Sequence, residues 1–301
     1  MDGRTLLSEM LGFLDRGESD TDLLGLQKLY RCLDEAACQF ARVTGALTGE
    51  VVLTTVADQQ AYNLPPEFIR PLVRTKGERF VARHDGADGT VSWIAKTDYS
   101  RVFLANRTEA AEIPACFCIR QRSDAAAAIS GAATAIGAQA SGLVLLQDSG
   151  ADFSGVMVRD MVHNVTKNTH GLVISVTSPT VLSCAMFPAS RASIASGNSY
   201  TVRPASREQL VFDAPCAVTG NTLTLPSVVL PGPLYHEYSF LGLPPESCRA
   251  IAAEAAFLFA TNREDMKAKP THHQLFLAEL RQHKIDRAKS LLQGSPDPGL
   301  M

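Results

Sequence analysis

Histidine, carboxylate and thiol side chains are the groups in this chain that could do chemistry, so their spacing comes first. His272-His273 is the closest histidine pair. Neighbouring positions on a helix point about 100° apart, so the two rings cannot close on one metal ion and read instead as a solvated helix start. His236 stands in Tyr235-His236-Glu237-Tyr238, which reads as an interfacial aromatic cluster rather than a catalytic His–Glu pair. Asp148, Asp152 and Asp160 lack the compact spacing and terminal glutamate of a calcium loop and read as turn caps. No phosphate-cradling glycine loop, dinucleotide glycine pattern, nucleophile elbow or His-Glu-x-x-His motif occurs. The sequence therefore predicts no catalytic residue, no metal site and no cofactor.

The seven cysteines, Cys32, Cys38, Cys116, Cys118, Cys184, Cys216 and Cys248, are odd in number and form no C-x-x-C pair. Their apolar neighbours mark them as reduced, buried, small hydrophobes. A hydrophobic content of 46% with 20% charged residues excludes a disordered chain. The net charge of −3 gives no overall nucleic-acid footprint. The first twenty residues carry acids without an apolar core, so they do not read as a secretory signal, and no apolar run is long enough to span a membrane. Without a secretory signal, the sequons at Asn106 and Asn164 carry no weight.

Residues 4–15 predict a short helix with Leu6, Leu7, Met10, Leu11 and Leu14 on one face. Leu23, Leu26, Tyr30, Leu33, Ala37, Phe40 and Leu47 then recur at three, four and seven, which predicts a long amphipathic helix ended by Gly45 or Gly49. From Glu50 the pattern turns to strands. VVLTTV and AYNL read as a hairpin around 57–60, followed by PLVRTK, RFVARH and VSWIAK. Residues 219–222, Thr-Gly-Asn-Thr, read as a second hairpin turn. Leu243-Pro244-Pro245 opens an Ala-rich helix with Ile251, Ala255 and Leu258 in its stripe, and a last helix covers 272–292.

Residues 123–142 are rich in alanine and poor in large side chains, which suits a linker; an Ala-rich helix is the competing reading. Residues 143–205 alternate apolar and polar in short runs with turns about every ten residues, as a small barrel or sandwich does. The expected fold class is α+β: a helical bundle of N- and C-terminal helices, a β-rich middle and an inserted β-module. The expected domains are 1–122 with 206–301, joined discontinuously, a linker over 123–142, and the module over 143–205. The helix stripe Leu23, Leu26, Tyr30, Leu33, Phe40 is expected to meet the stripe Ile251, Ala255, Leu258.

One order of motifs runs through the chain. A helix precedes AYNLPPEFIRPLV (residues 61–73). Trp93 and Tyr99 follow, then Ile113-Pro114 leading into ACFCI, and finally LPPESCRAIAAEAAFLFATNRED (residues 243–265). This order resembles the head-to-tail adaptor (connector) proteins of tailed bacteriophages, over roughly residues 5–120 and 225–292. The skeleton of 143–203 resembles a small β-module of phage structural proteins, with Arg159-Asp160 standing where that module has Gly-Asp. The resemblance implies a structural virion protein made in the bacterial cytoplasm and placed at the head–tail junction. It implies a ring, commonly of twelve copies, that binds the portal and the tail and lines the path of passing DNA. It carries over no catalytic residue and no membrane partner. The alternative is a receptor- or carbohydrate-binding tail module built on the β-insert, although 143–203 offers only Phe153, Phe187 and Tyr200 for stacking.

Residues 262–289 hold seven basic and four acidic residues, a net +3 that leaves −6 on the rest of the chain. Such a segment is either a solvated helix end or a docking element for an acidic partner surface or DNA. By the adaptor resemblance, Arg281, Lys284, Arg287 and Lys289 are the expected portal-docking residues, with Leu280, Ala288 and Leu292 packed inward.

Overall fold

The computed structural model describes residues 1–17, 25–72, 81–98, 100–102, 109–121, 128–135, 137, 143–187, 193–205, 208–263, 267 and 269–292, the side chains of 187 and 287–292 excepted. Leu23, Tyr99 and most of the predicted strand PLVRTK lie outside them.

The chain is mostly β, which corrects the expected helical bundle. It forms two curled sheets and is 28% helical. The α-helices include α1 (Gly3–Phe13), α2 (Leu26–Thr44), α3 (Cys248–Thr261) and α4 (Pro270–Leu292), with a 3-10 turn over Pro245–Ser247. They form one layer in which α3 touches all three others. The sequence overweighted them because a long 3.6-residue stripe is a stronger signal than many strands of four to eight residues.

Local chemistry explains the helix ends. Asp2 caps α1, its carboxylate accepting the Thr5 N–H at 2.9 Å. Gly45 ends α2 at φ 64, and its N–H donates to the Ala41 carbonyl at 2.8 Å. That left-handed turn strains residues bearing a Cβ. The core of the layer joins Leu29, Tyr30, Leu33 and Phe40 to Ile251 and Ala255, with Leu258 at its margin. The expected helix contact is therefore made, with one shift: Leu26 is 40% exposed and Leu29 takes the buried place. The small side chains Ala252, Ala255 and Ala256 are fully buried and let the helices approach closely.

The larger sheet contains β1 (Thr48–Thr54), β2 (Ala61–Asn63), β3 (Phe68–Pro71), β4 (Val81–Asp85), β5 (Val91–Lys96), β6 (Cys116–Gln121), β13 (Glu208–Phe212) and β14 (Thr222–Val229). Its order is β1-β14-β4-β5-β6-β13-β2, with β3 also on β14. Neither expected hairpin forms. β1 pairs with β14 along seven residues, Thr48 opposite Val228 to Thr54 opposite Thr222, and β2 pairs with β13. Alternation names the buried face of a strand but not its partner. Val51, Ile94, Phe117, Phe212, Leu223 and Leu225 fill the core beneath.

The second sheet takes its strands from one stretch of chain: β7 (Ile129–Ala132), β8 (Leu143–Gln147), β9 (Met161–Asn164), β10 (Thr169–Ser178), β11 (Val181–Phe187) and β12 (Ser199–Arg203). Its order is β7-β12-β9-β10-β11-β8. The chain after β7 closes it: the Thr134 N–H donates to the Gln147 carbonyl at 2.8 Å, and the Leu145 N–H to the Gly137 carbonyl at 3.1 Å. The result is a small barrel around Val144, Leu146, Phe153, Val162, Val173, Leu182 and Tyr200. It also corrects the linker reading, because Ile129–Ala132 of the Ala-rich segment is a barrel strand and not a connection. The small residues there have a packing reason. A Cβ on Gly131 would lie 2.5 Å from Asp148 Oδ2 and 2.8 Å from the Tyr200 hydroxyl.

Candidate interaction surfaces

Arg159 ties the barrel to the rest of the chain. Its φ is 72, the left-handed region that a glycine tolerates best. The side chain reaches α2, donating to Asp34 through Nη1 at 3.1 Å and Nη2 at 3.0 Å. It also donates to the Pro231 carbonyl at 2.8 Å. Asp34 accepts in addition from the Leu234 N–H at 2.8 Å. The pair is largely buried, with side-chain exposures of 9% for Arg159 and 16% for Asp34. Burial opposes the charge on Arg159, but Asp34 outweighs it and holds the guanidinium pKa above its ordinary value. Sequence spacing could not show this contact, because the partners are 125 residues apart.

The residues that looked chemical are occupied by structure. Asp148 accepts the Gly150 N–H and the Tyr200 hydroxyl, the latter at 2.6 Å. Asp152 accepts the Ser154 N–H, and Asp160 accepts from Met157 and Ala205. Burial raises the Asp160 pKa against those two hydrogen bonds. His273 lies at the start of α4 with its side chain 41% exposed, and its Nδ1 is 2.8 Å from Oε2 of the buried Glu254 on α3. His272 sits edge-on to Phe13, and burial lowers its pKa. Among the described residues no three His, Cys, Asp or Glu side chains gather to hold a metal ion.

One constellation the sequence reading missed resembles a catalytic triad: Ser92, His84 and Asn221. Ser92 Oγ lies 3.3 Å from His84 Nδ1, and Asn221 Nδ2 lies 3.3 Å from His84 Nε2. The network assigns the protons. Asn221 Oδ1 accepts the Ala87 N–H, so its amide nitrogen faces the ring and donates. Nε2 is then the acceptor and the ring proton sits on Nδ1, which donates to Ser92. An imidazole in that tautomer cannot take the serine proton, so the group pins β4, β5 and the chain before β14 rather than activating a nucleophile.

The surface carries three features of another kind. The loop Tyr235–Phe240 holds Tyr238 at 77% exposure and Phe240 at 69%. Its backbone is tied to the N-terminus, with Gly3 N–H donating to Ser239, Arg4 N–H to Glu237 and Leu241 N–H to Met1. The outward face of α4 shows Leu277, Arg281, Lys284 and Ile285 exposed, while Phe276 and Leu280 are buried beneath. Arg287 and Lys289 belong to the same helix, their side chains outside the described residues. At the far end of the large sheet, loops 55–60, 85–90, 109–115 and 213–221 come together around exposed Val56, Ile113 and Val218.

All seven cysteines are free thiols. Burial pushes Cys32 up to about 11 and Cys38 and Cys184 up to about 12. These thiols stay protonated near neutrality and shielded. Alkylation of the native protein at pH 8 followed by peptide mass spectrometry is expected to spare all three, with full labelling in denaturant. Native labelling of Cys184 at the denatured rate would show that the barrel opens.

Compared with known proteins, the chain matches no family model and no curated sequence.

Proposed function

We propose that this chain is a head-to-tail adaptor of a tailed bacteriophage, a structural virion protein that forms a ring between portal and tail and leaves a path for DNA. The order of motifs around AYNLPPEFIRPLV suggests the role, and the loop Tyr235–Phe240 carries it. Two large aromatic side chains stand in solvent on a backbone already locked by the N-terminus. Preorganised aromatic anchors are what a protein–protein contact needs, because little ordering entropy is lost on docking. Assembly of this kind needs no catalytic group or cofactor. Among the described residues no helix is long and apolar enough to cross a membrane. The basic face of α4 would take an acidic partner surface within the assembly.

The alternative, a sugar- or receptor-binding barrel, loses two of its three stacking residues, the side chain of Phe187 lying outside the described residues. Phe153 and Tyr200 are 0% and 1% exposed, inside the barrel core.

The test is sedimentation and negative-stain imaging of the full chain mixed with purified portal rings. The expected result is a second ring on one face of the portal. A Tyr238→Ser, Phe240→Ser variant should bind at least about ten-fold more weakly with an unchanged melting temperature, since both side chains are exposed. No co-sedimentation at any ratio would sink the adaptor reading.

A further inference from the structure

We infer that the outward face of α4 docks onto the loop end of the large sheet of a second copy of this chain. The inference deepens the adaptor reading by naming the acidic partner of α4.

The loop end is one-sided in charge. Loops 55–60, 85–90, 109–115 and 213–221 contain Asp58, Asp85, Asp88, Glu109, Glu112 and Asp213, and no lysine or arginine. Asp213 is buried and accepts the Ala115 and Cys116 N–H groups, and Asp85 pairs with Arg83. Asp58, Asp88, Glu109 and Glu112 are left on the surface. Between them stand Val56, Ile113 and Val218 at 44%, 43% and 39% exposure. The loops form one surface. Asp58 N–H donates to Cys216, Cys216 N–H to Gln59, Ala217 N–H to Ala111, and Thr55 Oγ1 to Val218. Asn221 adds the 85–90 turn by accepting from Ala87.

The face of α4 is the complement. Arg281 and Lys284 are exposed beside Leu277 at 37% and Ile285 at 49%. Spacings of four, seven and eight from Leu277 put all four on one side. Each surface thus has an apolar centre and charge of one sign, and the signs are opposite.

The two cannot meet within one chain. α2 runs into β1 at Thr48 and β14 leads out at Val229, so the helical layer caps that end of the sheet. The acidic loops lie beyond Thr54 and ahead of Thr222, at the other end of a pairing about 20 Å long. Complementary patches at opposite ends make a head-to-tail contact, which closes into a ring when successive copies are rotated.

Two variants test this. One blocks the loop end (Glu109→Lys, Glu112→Lys) and one blocks the helix face (Arg281→Glu, Lys284→Glu). Sedimentation velocity of the wild-type chain should show concentration-dependent oligomers that dissociate as salt is raised. Each variant alone should be monomeric with a wild-type melting curve. Their mixture retains one intact contact and should give dimers and nothing larger. Oligomers from either variant alone, or a wild-type chain monomeric at every concentration, overturns the inference. Variants that assemble normally but fail to bind portal rings would assign the α4 face to the portal, leaving the adaptor reading intact. Oligomers with the stated variant pattern but no portal binding would leave the contact standing and remove the adaptor reading.

Discussion

Replacing Arg159 by glycine is expected to lower stability by about 1–2 kcal/mol, although glycine is the better residue for the backbone there. Two effects oppose each other. Relief of a left-handed φ at a residue with a Cβ is worth roughly 1–2 kcal/mol. Against it, Asp34 loses a bidentate partner in a largely buried place, and breaking such a pair from one side costs about 3–5 kcal/mol. The second effect wins. The residual N–H bond from Leu234 to Asp34 keeps the loss toward the lower end. A double variant, Asp34→Leu with Arg159→Met, should recover part of the loss, because it leaves no lone buried charge. Urea unfolding gives the totals. Hydrogen exchange should show the barrel and α2 losing protection together in Arg159→Gly. A glycine variant as stable as the wild type would mean that the ion pair contributes nothing net, and that the barrel is held by its connections alone.

The second large effect is in the helical layer. Leu33→Asp is expected to cost at least about 4 kcal/mol, which is enough to deplete soluble protein. Leu33 is 0% exposed and sits in the cluster with Phe40 and Ile251. A carboxylate there has no partner. Leu26→Asp is the matched control. By periodicity Leu26 and Leu33 belong to one stripe, but Leu26 is 40% exposed, so its substitution should fall within about 0.5 kcal/mol of the wild type. Soluble yield and helical circular dichroism report both. A folded, soluble Leu33→Asp chain would contradict the packing of α2 on α3.

Deleting residues 125–205 has a defined consequence. It removes the barrel closed by Thr134 and Gly137 together with Arg159, so Asp34 must be neutralised in the same variant, as Asn, for the remaining sheet and helices to be judged fairly.

What the sequence by itself determined is local. The stripe of α2, its glycine stop at Gly45 and the turn bond of Asp152 to Ser154 depend on residues within a few positions of one another, and short-range sterics and hydrogen bonds decide them. The reach of Arg159 to Asp34 was not legible, because the partners lie 125 residues apart. What only the tertiary structure decided is every pairing across distance. β1 chooses β14 over the nearby β2, Gly131 is small because Asp148 and Tyr200 lie against it, and His84 meets an asparagine 137 residues away. The balance of helix to sheet belongs to the same class. A helix satisfies its backbone within itself, so its pattern shows in one window of sequence. A strand satisfies its backbone only on a partner, and alternation records which face is buried without recording whose edge it joins.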